Sequence, residues 1–181
     1  MKYIFSFILL TYCSFALSEE GWLVGTEYQQ VSSEVDVHHN LVDFKVGVLT
    51  AYVGYELPLT SKWSAQFSLS AGKSVKQDNN KQIVVYGDIL VDVDMEVSTY
   101  VRFQTQFDYA IHDNGYVFLA PGIAQYDFNA KRPGENLSVS EWRLALSAGY
   151  SHKIGDKGKV KLTYNYLPDT NVVAIGYERR F

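Results

Sequence analysis

From Lys62 to Gly72 every second residue is apolar: Trp63, Ala65, Phe67, Leu69 and Ala71 alternate with Ser64, Gln66, Ser68, Ser70 and Gly72. Successive side chains of a β-strand point to opposite faces, so this segment reads as a strand with one apolar and one polar side. A helix would set its apolar residues three and four apart. The same pattern returns along the chain. In 97–111, Val97, Val101, Phe103, Phe107, Tyr109 and Ile111 share one face; Ser98, Tyr100, Arg102, Gln104, Gln106 and Asp108 share the other. In 141–154, Trp142, Leu144, Leu146, Ala148, Tyr150 and Ile154 oppose Arg143, Ala145, Ser147, Gly149, Ser151 and Lys153. In 171–181, Val173, Ile175, Tyr177 and Phe181 oppose Ala174, Gly176, Glu178 and Arg180.

Turn chemistry divides these segments. Short turns are expected at Pro58–Ser61, His112–Gly115, Gly155–Gly158 and Leu167–Thr170, the second through an Asn-Gly pair that tolerates positive φ. Longer polar stretches fall at 32–41, 74–94 and 129–139. The division gives eight strands, at 21–31, 42–57, 62–73, 95–111, 115–128, 140–154, 159–167 and 171–181. The stretch 83–97 also alternates, with Ile83, Val85, Ile89, Val91, Val93 and Met95 against Gln82, Asp88, Asp92, Asp94 and Glu96. A ninth strand would bring the C-terminus to the wrong end, so this stretch is expected to form a hairpin projecting beyond the eight strands, as part of a long second loop. In 115–128 both faces are fairly apolar, and its register stays open.

Composition narrows the class. The chain has 181 residues, 47% hydrophobic and 15% aromatic, with one cysteine and a net charge of −4. That is one domain, neither disordered nor disulfide-stapled, and not basic enough for a general nucleic-acid binder. The N-terminus reads as an export signal: Lys2, an apolar run from Tyr3 to Leu10, then Ala16-Leu17-Ser18. Cleavage is expected after Ser18, leaving 19–181 as the mature domain and removing Cys13.

An all-β exported chain is either a soluble sandwich, apolar inside, or a transmembrane barrel, apolar outside. Most strands reach the length of a tilted membrane span, about 9–11 residues. Connections mostly alternate long and short, although the one at 168–170 is short where a long one is due. The aromatic residues Trp22, Tyr55, Trp63, Tyr109, Tyr116, Trp142 and Tyr177 sit near strand ends, as interfacial girdles require. The segment Val173–Phe181 resembles the terminal strand of Gram-negative outer-membrane barrels, and Val48–Leu57, the Pro58–Ser61 turn and Trp63–Gly72 resemble a periplasmic-turn hairpin of the OmpA/OmpX-like eight-stranded family. The resemblance implies an all-β, eight-stranded antiparallel up-and-down barrel in the outer membrane. It also implies a C-terminal assembly signal at Val173, Ile175, Tyr177 and Phe181, read by the barrel assembly machinery. Arg179 departs from that signal, since an apolar or aromatic residue is commoner there. Family members include structural barrels, adhesins and resistance factors of the Ail type.

Eight strands leave a lumen that side chains can fill. The expected lumen set is Glu56, Arg102, Gln104, Gln106, Asp108, Arg143, Lys161, Glu178 and Arg180, with both signs present for mutual pairing. The function expected is a structural or surface-interaction role carried by the external loops 32–41, 74–94 and 129–139. Its partners would be outer-membrane lipid and lipopolysaccharide, the assembly machinery and a host or cell-surface ligand, around a monomeric barrel. The alternatives are a narrow channel or carrier for small or apolar molecules and a lipid A-modifying enzyme. No catalytic residue, cofactor or metal site is expected. His38 and His39 with Glu34 and Asp36 read as a solvated loop, not a zinc site. Asp88, Asp92, Asp94 and Glu96 read as a hydrated edge, and Lys131-Arg132 as a solvated pair. His112 and His152 fall on the periplasmic side, out of reach of outer-leaflet lipid.

Overall fold

The computed structural model describes residues 21–37, 40–85, 89–132 and 135–181. Alternation and a high content of Val, Tyr and Phe favour extended backbone, and the described chain forms nine strands. These are β1 (Trp22–Val37), β2 (Asn40–Pro58), β3 (Trp63–Lys76), β4 (Asp78–Val85), β5 (Ile89–His112), β6 (Gly115–Arg132), β7 (Glu135–Ile154), β8 (Gly158–Leu167) and β9 (Thr170–Arg180).

Eight of them form a closed antiparallel ring in the order β1-β2-β3-β5-β6-β7-β8-β9, and β9 returns to β1 from Leu23↔Arg180 to Ser33↔Thr170. β4 stands outside the ring. β3 pairs β5 up to Gly72↔Tyr100; beyond it β4 pairs the far end of β5, from Asp78↔Met95 to Val85↔Ile89. The Lys45 backbone N–H donates to Asp78 Oδ2 at 2.8 Å and ties the start of β4 to β2. The alternating stretch around Ile83 is therefore a hairpin raised above the ring. One end of the barrel carries Gly21, Phe181 and the tight turns at 59–62, 113–114 and 155–157; the other carries the hairpins.

The polar stretches 32–41 and 129–139 were expected as loops, yet most of their backbone is strand. β1 runs to Val37 and β2 starts at Asn40; β6 runs to Arg132 and β7 starts at Glu135. Antiparallel pairing satisfies the backbone in water as well as in lipid. Polar side chains therefore mark where the apolar wall ends, not where the strand ends.

Val97 was expected on the outward face with Val101 and Phe103, but it is fully buried. Ser98 is an extra residue in β5, because Val97 pairs Phe128 while Thr99 pairs Asp127. The bulge turns the outer part of β5 over by one position. In β6 the open register resolves: Phe118, Ala120, Ala124, Tyr126 and Phe128 point inward, and Val117, Leu119 and Ile123 outward. Tyr116 shares the inward parity and so leaves the expected girdle. Trp22 with Tyr55 and Trp63 with Tyr109 do meet on the outer wall near the turn end, with ring centroids 5.4 and 4.9 Å apart.

The turns also differ in detail. Among the described residues positive φ occurs at Gly21, Gly155 and Asp169, not at Asn114 or Gly115. At Gly115 the His112 ring lies over the position a Cβ would take, so a side chain there would displace that exposed ring.

The bulge gives a paired test. Deleting Ser98 keeps Val97 inward, so the barrel should still form and still shift in mobility when boiled in SDS. Deleting Thr99 as well turns Val97 and Met95 outward, and limited proteolysis should then cut the 74–96 region.

Candidate functional site: a lumen in two parts

Alternation puts one side chain in two into the lumen, and near the turn end those side chains are charged. Lys159 Nζ lies 3.3 Å from Glu56 Oε1 and 3.6 Å from Glu178 Oε1. Lys161 Nζ lies 3.4 Å from Glu178 Oε2 and donates to Gln106 Oε1 at 2.7 Å. Gln106 Nε2 donates to Asp108 Oδ1 at 2.8 Å, and the Tyr52 hydroxyl donates to Glu178 Oε2 at 2.9 Å. Lys161 also sits over the rings of Tyr52 and Phe118, 5.5 and 5.1 Å from their centroids. Gly25 makes room for Tyr52, whose ring occupies the space a side chain at Gly25 would need.

Midway along the lumen a second cluster spans the barrel. Arg102 Nη1 donates to Asn165 Oδ1 at 2.9 Å and Nη2 to Glu27 Oε2 at 3.3 Å. Gln29 Nε2 donates to Glu27 Oε2 at 3.2 Å, and the Tyr126 hydroxyl to Gln29 Oε1 at 3.2 Å. Across both clusters Glu27, Glu56 and Glu178 pair with Arg102, Lys159 and Lys161, with Arg180 joining Glu56 from the mouth, while Asp108 accepts from Gln106 and its Oδ2 has no protein partner. A charge enclosed without such a partner would be costly. On the β3–β5–β7 side, Gln66 Oε1, Ser68 Oγ, Ser70 Oγ, Ser147 Oγ and Ser151 Oγ have no protein partner; water meets such atoms.

Toward the hairpin end the lining changes from polar to apolar. Val31, Phe44, Val46, Val48, Met95 and Val97 pack with Tyr100, Tyr126, Phe128, Leu167 and Val172 in one buried cluster. Phe44 meets Phe128 edge-on at 5.2 Å, Tyr126 stacks on Phe128 at 5.7 Å, and Tyr100 lies 4.5 Å from Tyr126. At the same level the outer face is polar: Asp43, Lys45, Asp94, Ser98, Ser140 and Glu141 are exposed. Nearer the turn end the outer face carries Leu49, Phe67, Leu69, Phe103, Leu144, Leu162 and Ile175, all exposed. The faces thus exchange character along the axis.

Of the lumen residues read from the sequence, Glu56, Asp108, Lys161 and Glu178 come together at the turn end. Arg180 joins them from the mouth, 44% exposed and 3.6 Å from Glu56. Arg102 belongs to the middle cluster. Arg143 stands apart: it is 27% exposed at the hairpin rim, bound to the Pro168 carbonyl at 2.7 Å and to Glu141 at 3.3 Å. The sequence reading missed Glu27, Gln29, Tyr52, Lys159 and Asn165. Lys159 and Asn165 share the parity of Lys161, and Glu27 shares that of Gln29, so a strict count along β1 and β8 would have found them. Val173, Ile175 and Tyr177 point outward.

His38, His39 and Asp88 lie outside the described residues. Among the described residues no group of three or more His, Cys, Asp or Glu could hold a metal ion. His112 and His152 meet at the turn end, with the Tyr150 hydroxyl 3.4 Å from His112 Nε2 and 3.1 Å from His152 Nδ1.

A closed ring of eight strands, apolar outside and charged within, is the architecture of a transmembrane barrel. The chain belongs to the outer membrane protein beta-barrel domain family, whose model matches residues 5–180, and its location is the Gram-negative cell outer membrane. The turn end is therefore periplasmic and the hairpin end external. Comparison with the curated proteins gives no match. Among solved structures the chain is similar to Ail, the attachment invasion locus protein of Yersinia pestis, at 17% identity and TM-score 0.57, covering 90% of this chain and 100% of that one. It is also similar to Neisserial surface protein A (11%, TM-score 0.58, 89% and 97% covered). A third is the N-terminal barrel domain of Pseudomonas aeruginosa OprF (11%, TM-score 0.54, 90% and 100% covered). Ail is also known in complex with the heparin analogue sucrose octasulfate. These likenesses establish the fold.

Arg102→Met strands Glu27 in the lumen and should cost about 3–5 kcal/mol, whereas Arg102→Met with Glu27→Gln should recover most of that loss in urea unfolding from vesicles. Phe128→Ala should lower stability by about 3–5 kcal/mol through the cavity it leaves, read in the same assay.

Proposed function

We propose that this barrel is sealed and that its work is done outside the membrane by the hairpins β1–β2, β4–β5 and β6–β7. The apolar layer around Phe44, Tyr126 and Phe128 carries the reading. Its members have almost no exposed surface, and a conducting path needs a wetted one. Below it, the paired charges of Glu27, Arg102, Lys159, Lys161 and Glu178 form a polar plug. Surface interaction then falls to the external face, including 32–41, 74–94 and 129–139. There Ser32, Ser33, Asp43, Lys45, Asp169 and Asn171 line a recess of about 290 Å³. The partner on this reading is a molecule of a host or neighbouring cell surface; the ligand complex of Ail supports that class. Val173, Ile175, Tyr177 and Phe181 serve as the assembly signal, and lipopolysaccharide surrounds the external half of the wall. The reading assigns no chemistry to the chain.

Single-channel recording in planar bilayers tests the seal. The expected result is no steady conductance from the wild-type barrel; open-pore conductance would favour the channel reading instead. Replacing 74–94 and 129–139 by short turns should abolish attachment to cells or matrix while the heat-dependent SDS shift persists.

A further inference from the structure

Arg179 is the residue of the last strand that breaks its apolar outward row. It points to the lipid side with Tyr177, is exposed, and its guanidinium makes no ion pair or hydrogen bond with another described residue. It stands at the edge of a shallow depression of about 550 Å³ on the outer wall of β9, β1, β2 and β3. The floor is made of small side chains in register: Val24, the partner of Arg179 and of Val53, and Thr26, the partner of Tyr177 and of Ala51. Ala51 pairs in turn with Ala71. Larger neighbours such as Leu69 and Tyr177 bound it. Arg179 lies one residue from the periplasmic end of β9, whereas Ala71 lies eight residues up β3 from Trp63. The depression therefore starts at a cation near the periplasmic interface and runs toward the membrane centre. Lys157, also exposed, is adjacent to Gly158, the cross-strand partner of Arg179, on the β8 side of β9 and outside the depression.

We propose that this depression holds one anionic phospholipid of the inner leaflet, its phosphate on Arg179 and one acyl chain along Val24, Thr26, Ala51 and Ala71. The polarity of the site follows that of the lipid: charge at the interface, hydrocarbon beyond it. Arginine suits the head because its planar donor fork matches phosphate oxygens and its stem stays in hydrocarbon. Small floor residues suit the tail because they let a chain approach the backbone, where a Leu or Phe wall would hold it off. The site is independent of the lumen and of the external hairpins, so its fate does not depend on the function proposed above.

Native mass spectrometry of the full barrel, extracted from vesicles of equal phosphatidylglycerol and phosphatidylcholine with matched chains, tests this. The wild type is expected to retain one phosphatidylglycerol in preference to phosphatidylcholine. Arg179→Gln should reduce that preference about tenfold, the scale of one charge-assisted hydrogen bond. Ala51→Phe, which fills the depression far from the C-terminal strand, should lose retention of both lipids. Each variant is first checked for the heat-dependent SDS shift. Equal retention of the two lipids by the wild type overturns the proposal, and that comparison requires no variant. Undiminished preference in a folded Arg179→Gln, or undiminished retention in a folded Ala51→Phe, overturns it as well.

Discussion

Inside hydrocarbon no water is present to meet a bare N–H or C=O group, so a strand may cross a membrane only if both its edges are paired. The β1–β9 ladder is where this chain meets that demand, joining its first strand to its last. The rest follows from it. A closed ring of eight has an inside and an outside, period two assigns each residue to one of them, and the inside is narrow enough for side chains to reach across. Arg102 of β5 can reach Glu27 of β1 only because the ring is shut.

The demand on side chains is not uniform along the axis. Where the wall meets lipid, the outer face must be apolar, and the lumen receives the charges. Beyond the lipid the same strands continue into water, and the arrangement turns over: Phe44 and Val46 go in while Asp43 and Lys45 go out. This upper part obeys the rule of soluble proteins, the lower part its inverse. Neighbouring strands make the change in different ways. β2 keeps its parity and changes residue type; β5 inserts Ser98 and shifts the parity of Val97 and Met95. The two halves are therefore held by different forces, paired charge below and apolar burial above.

This division explains what the sequence made legible. The membrane wall was plain in β3, β7 and β9, because lipid on one side and charge on the other give the sharpest possible alternation. Glu56, Asp108, Lys161 and Glu178 could be placed in the lumen from that alternation alone. What the pattern hid was the turnover. A strand with a dry interior and a wet exterior alternates just as strictly, so periodicity does not say which face is which. Val97 was set with the lipid face because a bulge at Ser98 leaves no mark in a row of small polar residues. β6 was ambiguous for the same reason, since Tyr126 and Phe128 line the apolar layer while Leu119 and Ile123 face lipid. Arg143 has the parity of a lumen residue but stands at the rim, because parity fixes a face and not a height. Parity along their own strands puts Glu27 and Lys159 in the lumen, but it does not show that they pair with Arg102 and Glu56, residues far from them in sequence.

The apolar layer at the external end has a bearing on recognition. A contact surface borne on floppy loops must be ordered by its partner, and that ordering is deducted from affinity. Here the bases of the hairpins rise as paired strands over their own packed interior. If the external face is the interaction surface proposed above, an arriving molecule would meet a platform already built at its foot, with side chains set at fixed strand spacing. Such a platform favours binding with little structural adjustment and a modest entropic penalty. It also limits versatility, because a surface anchored in this way cannot readily remodel itself to suit a differently shaped partner.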